Sequence, residues 1–312
     1  MAGAPRPRLA PPRTPGRPLR VALVAKRSAW RIYVEERHDE RLTELAAAGD
    51  EAIAPLKASH EAHVRTVREV KEALGVVGAH LVAERLAGEP FDSAGLDLVV
   101  TVGGDGTLLA ASHYVADVPV LAINSAPSHS VGFFSGARSG EALEALRGAI
   151  RGSLRRTVLT RMTVSINGEV VAARVLNDAL FCHASPAATS RYLVQLGEIE
   201  EQQKSSGFWI GPAAGSTAAQ RSAGGRVLPL TSQQLQLVVR EPYTPHGESY
   251  QLRQARLPPG AKLLVRSKMH DARIFFDGPD QSTVIGYGDV LEFTQAAQSL
   301  TVLGISSRRK WG

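Results

Sequence analysis

Cysteine is almost missing from this chain of 312 residues; Cys182 is the only one. That excludes an intramolecular disulfide and a cysteine zinc cage, and it suits a reducing compartment such as the cytoplasm. Long apolar runs are missing too. Nothing approaches the ~20 residues that a bilayer-crossing helix needs, so no membrane partner is expected. Residues 1–20 lack any acid and hold five arginines: Arg6, Arg8, Arg13, Arg17 and Arg20. With Arg308, Arg309 and Lys310 near the other end, these exceed the whole net charge of +6. The body between the tails carries no basic stripe interleaved with aromatics, which argues against nucleic acid as a partner. Six prolines within residues 1–18 exclude the amphipathic helix of a transit peptide. That stretch also lacks the apolar core of a secretory signal, and we read it as a disordered tail.

What is present, 44% hydrophobic and 21% charged residues, is the composition of a soluble globular protein long enough for two domains. Over residues 19–154 strands and helices alternate. Leu19–Ala25, Leu96–Val102 and Val118–Asn124 are continuous apolar runs, the signature of a parallel sheet buried on both faces. Ser59–Leu74, with Val64, Val67, Val70 and Leu74 on one side, and Glu141–Ile150 read as helices. This predicts a doubly wound α/β domain, which binds ligands beyond the carboxyl ends of its strands.

Over residues 155–290 the pattern shifts to short alternating strands, predicting an antiparallel β domain. They are Arg161–Ile166, Glu169–Asn177, Arg191–Leu196, Leu235–Val239, Lys262–Val265, Ala272–Phe276 and Val290–Phe293. Asn167-Gly168 and Asp277-Gly278 are turn signals between some of them. A last segment, 291–312, is expected to return to the first domain through Leu300–Leu303, and the site is expected in a cleft between the domains.

The richest motif is Gly103-Gly104-Asp105-Gly106-Thr107, between the strand ending at Val102 and a helical stretch from Leu108. Strand, glycine turn and helix bring backbone N–H groups and a helix N-terminus together around a phosphate. A carboxylate there is unfavourable unless it binds a metal or takes a proton, which marks Asp105 as a chemical residue.

Three further clusters accompany it. Asn177 and Asp178 form an amide–acid pair at a strand end, able to donate to and accept from a hydroxylated ligand. Lys204–Ala219 is a run of small residues holding Ser216 and Thr217, continued by Ser222-Ala223-Gly224-Gly225. Asn124 opens a loop that ends in Phe133-Phe134. Trp30, Tyr33 and the pair Cys182-His183 are given structural readings; His113 is open between packing and a ligand contact, His129 between a loop role and a phosphate contact, and Asp277 reads as a hairpin turn that can also shape the cleft.

In this order the pieces resemble the NAD kinase family: GGDGT, then Asn177-Asp178, then Gly215-Ser216-Thr217 and Ser222–Gly225, over roughly residues 95–290. GGDGTLLAASH, the long Asn124–Gly132 loop, SSGFWIGPAAGSTAAQRSAGG and VVREPYTP look closest to the plant-type NADH kinase branch. The resemblance implies transfer of the terminal phosphoryl group of ATP to the 2′-hydroxyl of the adenosine ribose of NAD or NADH. It implies magnesium as cofactor, with no metal ligand assignable, and a homo-oligomer. By position, Asp105 is the general base. Asp105, Gly106, Asn177, Asp178, Ser206, Ala214, Gly215, Ser216, Thr217, Ala218 and Ala219 would meet NAD(H). Gly103, Gly104, Gly106, Thr107 and Asn124 would meet the phosphates of ATP.

The chain departs from the commoner bacterial pattern where Ser206 replaces an acid and Ala219 a tyrosine, and in the longer Asn124 loop. The alternatives are a non-catalytic NAD(H) sensor, disfavoured by Asp105, and a lipid kinase sharing the glycine turn. The latter is disfavoured by Leu108-Leu109 after the turn and by the lack of a membrane-docking helix.

Overall fold

The structure, a computed structural model, describes residues 17–244 and 249–306. Apart from Arg17 and Pro18, the N-terminal tail lies outside the described residues, as do Pro245 and the basic residues 308–310. The described residues form two compact units, one of residues 17–157 with 300–306, the other of 158–244 with 249–299.

The first unit is built on a seven-stranded sheet. Its strands are β1 (Arg20–Ala25), β2 (His80–Leu86), β3 (Leu98–Gly103), β4 (Val120–Asn124), the two-residue β5 (Ala137–Arg138), β6 (Arg156–Leu159) and the returning β19 (Leu300–Leu303). The order is β2-β1-β3-β4-β19-β6, with β5 on β4. Pairing is parallel from β2 through β1, β3 and β4 to β19. Val21, Leu23, Val100, Val102, Leu121 and Ile123 pack with the helices α2 (Ala54–Val76) and α4 (Ala142–Arg151). Side chains of opposite parity, Ala22, Val24 and Val99, are as fully buried, so both sheet faces are covered and the strands read as unbroken apolar runs. The remaining helices of this unit are α1 (Glu40–Ala47), α3 (Asp105–Ser112) and a π-helical stretch, Arg31–Glu36.

The α2 helix turns inward the face expected at Val67, Val70 and Leu74, but rotated enough to leave Val64 outside. His63, Thr66, Val70, Ala73 and Leu74 are buried, while Val64 is 51% exposed. The N-terminal half of its inner face is polar because it meets strand ends. Thr66 Oγ1 lies within hydrogen-bond distance of the Ser125 carbonyl (3.2 Å) and of Ser139 Oγ (2.9 Å). Glu69 accepts from the Gly140 and Ala142 amides at 2.9 and 3.0 Å.

The second unit holds two six-stranded sheets. One contains β7 (Met162–Ile166), β8 (Glu169–Val175), β10 (Ser190–Leu196), β11 (Ile199–Ser205), β15 (Leu263–Ser267) and β18 (Val290–Gln295). The other contains β9 (Ala179–His183), β12 (Phe208–Pro212), β13 (Leu235–Val239), β14 (Gln254–Leu257), β16 (Ala272–Phe276) and β17 (Ser282–Ile285). All their pairings are antiparallel. Their inner faces share one core, at whose centre Phe208 lies 5.2 Å from Phe181, 5.3 Å from Tyr192 and 5.9 Å from Phe293.

Residues 291–299 stay with this unit, because β18 pairs with both β15 and β7. The return to the first unit begins at Leu300 rather than 291. The fully buried Arg161 fixes the exit, donating to the Gln298 and Ser299 carbonyls at 2.9 and 3.1 Å.

Candidate active site

Strand β3 runs into α3 without a spacer. The helix starts at Asp105, three residues earlier than its apolar stretch suggests, with Gly104 as N-cap. An acid in the first turn complements the partial positive charge of a helix N-terminus. Packing dictates the first two glycines. A Cβ on Gly103 would run into the Thr107 side chain and stand 2.9 Å from Lys26 Cβ; one on Gly104 would stand 2.6 Å from Ser130 Oγ. Gly106 is exposed, and a Cβ there would meet nothing. The open side of the turn is at Gly106.

Asp105 corrects the sequence argument that its carboxylate needs a metal or a proton. The backbone N–H of Phe133 donates to Oδ2 (2.9 Å) and that of Phe134 to Oδ1 (2.8 Å). Each carboxylate oxygen retains a further lone pair. The Asn124 loop is therefore the partner of the glycine turn, delivering two amides to its acid. Asn124 shapes that loop. Buried itself, it donates from Nδ2 to the Ser130 carbonyl (2.9 Å) and accepts at Oδ1 from Ala126 N–H (3.2 Å). Of the two aromatics, Phe134 is buried, and the rings meet edge to face at 5.4 Å. His129 is exposed, with Nδ1 2.9 Å from Ser128 Oγ and its N–H donating to the Ala126 carbonyl (2.9 Å).

In the second unit the structure joins two of the sequence clusters. Gly215 packs onto the backbone of Asn177, where a Cβ would stand 2.5 Å from the carbonyl carbon, and a Cβ on Gly211 would stand 2.8 Å from Asp178 Cα. The small residues there give close backbone approach, within the protein first of all. Ser216 is fully buried, its hydroxyl donating to the Ala213 carbonyl (2.8 Å) and accepting from Leu228 N–H (2.9 Å). Ala214 and Gly215 are buried too, whereas Thr217, Ala218 and Ala219 are half-buried. Ser206 stands apart. It lines a cavity of about 310 Å³ with Thr189, Arg191, Lys204, Glu241 and Tyr243, whose walls include neither Asn177 nor Gly215.

Asp277 is more than a hairpin residue. Its carboxylate accepts from three consecutive amides, Leu176 (2.9 Å), Asn177 (2.6 Å) and Asp178 (3.1 Å). Its own N–H donates to the Asp178 carbonyl (2.9 Å). The Asp-Gly signal in the sequence was legible as turn chemistry but not as the clamp of the amide–acid pair. Asp178 is 5% exposed. Burial, and then the Asp277 carboxylate, push its carboxyl up to about 7. Its hydrogen bond is to Asn177 Nδ2, at 3.3 Å.

Sequence reasoning also missed Lys26 and His63, which flank the glycine turn from β1 and α2. His63 is buried, with Nδ1 3.1 Å from Ser125 Oγ. Burial, then the Lys26 ammonium and His60, push its pKa down to about 4, so the ring is neutral near pH 7. Among the described residues no three His, Cys, Asp or Glu side chains group as a metal-ligand set. His183 instead accepts a hydrogen bond from Ser185 N–H (2.9 Å), and burial pushes the Cys182 thiol up.

Residues 13–154 match the family described as ATP-NAD kinase N-terminal domain. A probable NADH kinase from rice, Oryza sativa subsp. japonica, is 34% identical over 230 residues, 67% of this chain and 71% of that protein. The chain belongs to the NAD kinase family. The NADH kinase of Arabidopsis thaliana is also 34% identical, over 255 residues covering 69% of this chain and 75% of that one. An NAD kinase from Archaeoglobus fulgidus, solved in complex with ATP, shares the fold with a TM-score of 0.63 at 19% identity, covering 91% of this chain and 93% of that one. Yeast NADH kinase complexed with NADH gives the same TM-score, 0.63, at 16% identity, covering 93% and 85%. As a member of the NAD kinase family the chain is an NAD(H) kinase, using ATP to convert NAD(H) to NADP(H). Among the described residues no helix is long and apolar enough to cross a membrane.

Proposed function

We propose that Asp105 is the general base of this kinase. The 2′-hydroxyl oxygen of the adenosine ribose attacks the terminal phosphorus of ATP, its proton passes to Asp105, and the bond to the ADP oxygen breaks. The observation that carries this reading is the placement of Asp105. It stands at the N-terminus of a helix beyond a central parallel strand, and two loop amides fix both its oxygens. Transfer of this kind is mostly positioning and charge neutralisation. The amides around Gly103, Gly104, Gly106 and Thr107 are assigned to the phosphates, and Asn124 to the loop that closes on them. Asn177, Asp178 and the half-buried edge Thr217–Ala219 are assigned to the dinucleotide, with Ala214, Gly215 and Ser216 as the backbone support beneath that edge.

Magnesium fits the turn as a companion of the nucleotide. Such ions keep several waters and need only one or two carboxylates besides phosphate oxygens, and Asp105 is the carboxylate the turn offers. When bound, the ion neutralises phosphate charge. NADH is assigned as an acceptor used at least as fast as NAD, supported by the likeness to two plant NADH kinases. Of the two positions that depart from the bacterial pattern, Ala219 lies on the edge assigned to the dinucleotide and bears on that choice, while Ser206 lines a separate cavity.

Asp105→Asn tests the central assignment. Steady-state assays should show kcat lower by about 10²–10⁴, while fluorescence titration gives an NADH affinity close to wild type. Wild-type kcat in this variant removes the general-base role.

A further inference from the structure

Lys26 is the first residue beyond β1, and its N–H donates to the Val102 carbonyl at 2.8 Å. Strands β1, β3 and β4 are neighbours in the sheet, so Lys26 stands beside the glycine turn with its Cβ against Gly103. The next two cations along the chain turn to a shared carboxylate: Arg27 and Arg31 both pair with Glu36. No carboxylate among the described residues pairs with Lys26. Its side chain is half-buried, and burial holds the ammonium below the usual lysine range. A partly desolvated cation without a counter-ion costs free energy unless an anion completes it.

The backbone there is pinned. Ser125 N–H donates to the Gly103 carbonyl at 3.2 Å, and the His63 ring reaches Ser125 Oγ at 3.1 Å, so the ends of β3 and β4 are tied beside Lys26. Because that ring is neutral, Lys26 faces no competing positive charge from it.

We propose that Lys26 is the cation that binds the phosphate chain of the donor nucleotide at the glycine turn, with the Val102 carbonyl holding its backbone in place. This rests on the kinase reading above. Backbone amides offer partial charges only; Lys26 supplies the full positive charge that a triphosphate beside Asp105 requires.

The test compares wild type with Lys26→Gln and Lys26→Arg, using ATP, adenosine and NADH as probes. In Lys26→Gln the KM for ATP should rise about 10–100-fold and calorimetric ATP affinity should fall in step, as expected for a lost charge-assisted hydrogen bond. Adenosine affinity and the KM for NADH should stay at wild-type values, and Lys26→Arg should recover most of the loss. An unchanged KM for ATP in Lys26→Gln overturns the assignment and leaves the kinase reading intact. An equal loss of adenosine or NADH affinity also overturns it, because the effect then concerns the fold of the turn. No phosphoryl transfer by the wild type would remove the kinase reading and Lys26's donor role together.

Discussion

Asp178 is a carboxyl group kept from water on the wall of the second unit, beside a second acid that is itself clamped by three amides. Its pKa of about 7 in the fold stands above the ordinary carboxylate range of the unfolded chain. The unfolded state therefore sheds this proton first, and the contribution to stability is present at low pH and lost as pH rises from about 4 to 7. Asp178→Asn removes that dependence. In urea unfolding at pH 4.5 and pH 8, wild type should weaken relative to the variant by an amount on the order of a few kcal/mol. Parallel pH dependences would contradict the assignment. His63 works in the opposite sense. Its depressed pKa gives stability that is full above about 6.5 and lost as pH falls toward 4.

Among the elements, α2 shows where periodicity misleads. Its valines suggested an apolar face running on through Val64; Val70 and Leu74 are buried as expected, but the helix turns so that His63 and Thr66 reach Ser125 beyond β4. Thr66→Val should cost about 1–3 kcal/mol in denaturant unfolding, because the Ser125 carbonyl and Ser139 hydroxyl each lose a partner. Val64→Ala, on the exposed face, should stay within about 0.5 kcal/mol of wild type. Gly215→Ala should lower stability by about 1–3 kcal/mol and raise the KM for the dinucleotide, since the added methyl meets the Asn177 carbonyl. The strands divide in the same instructive way. β1, β3 and β4 are buried on both faces and were legible as apolar runs, whereas β2, β6, β11, β14 and β17 lie at sheet edges and escaped notice. An edge strand such as Ile199–Ser205, with Glu200, Glu201, Gln202, Gln203 and Lys204, pairs through its backbone and needs no hydrophobic alternation. Phe208–Pro212 was hidden differently, its apolar start absorbed into a run of small residues read as a ligand surface. The glycine turn itself was legible because its chemistry is local. The amides of Phe133 and Phe134 that satisfy Asp105 were not, since they come from 28 and 29 residues further along.

For the molecule as a whole, an α/β unit carries the glycine turn and an all-β unit carries the amide–acid pair, within a chain of the NAD kinase family. The reaction is phosphorylation of the 2′-hydroxyl of NAD or NADH by ATP. The direct measurement is a paired assay of the purified protein with ATP and magnesium, NAD in one reaction and NADH in the other, following the 2′-phosphorylated dinucleotide by chromatography. Product from NADH should form at least as fast as from NAD. Binding of both dinucleotides with product from neither would contradict the kinase assignment.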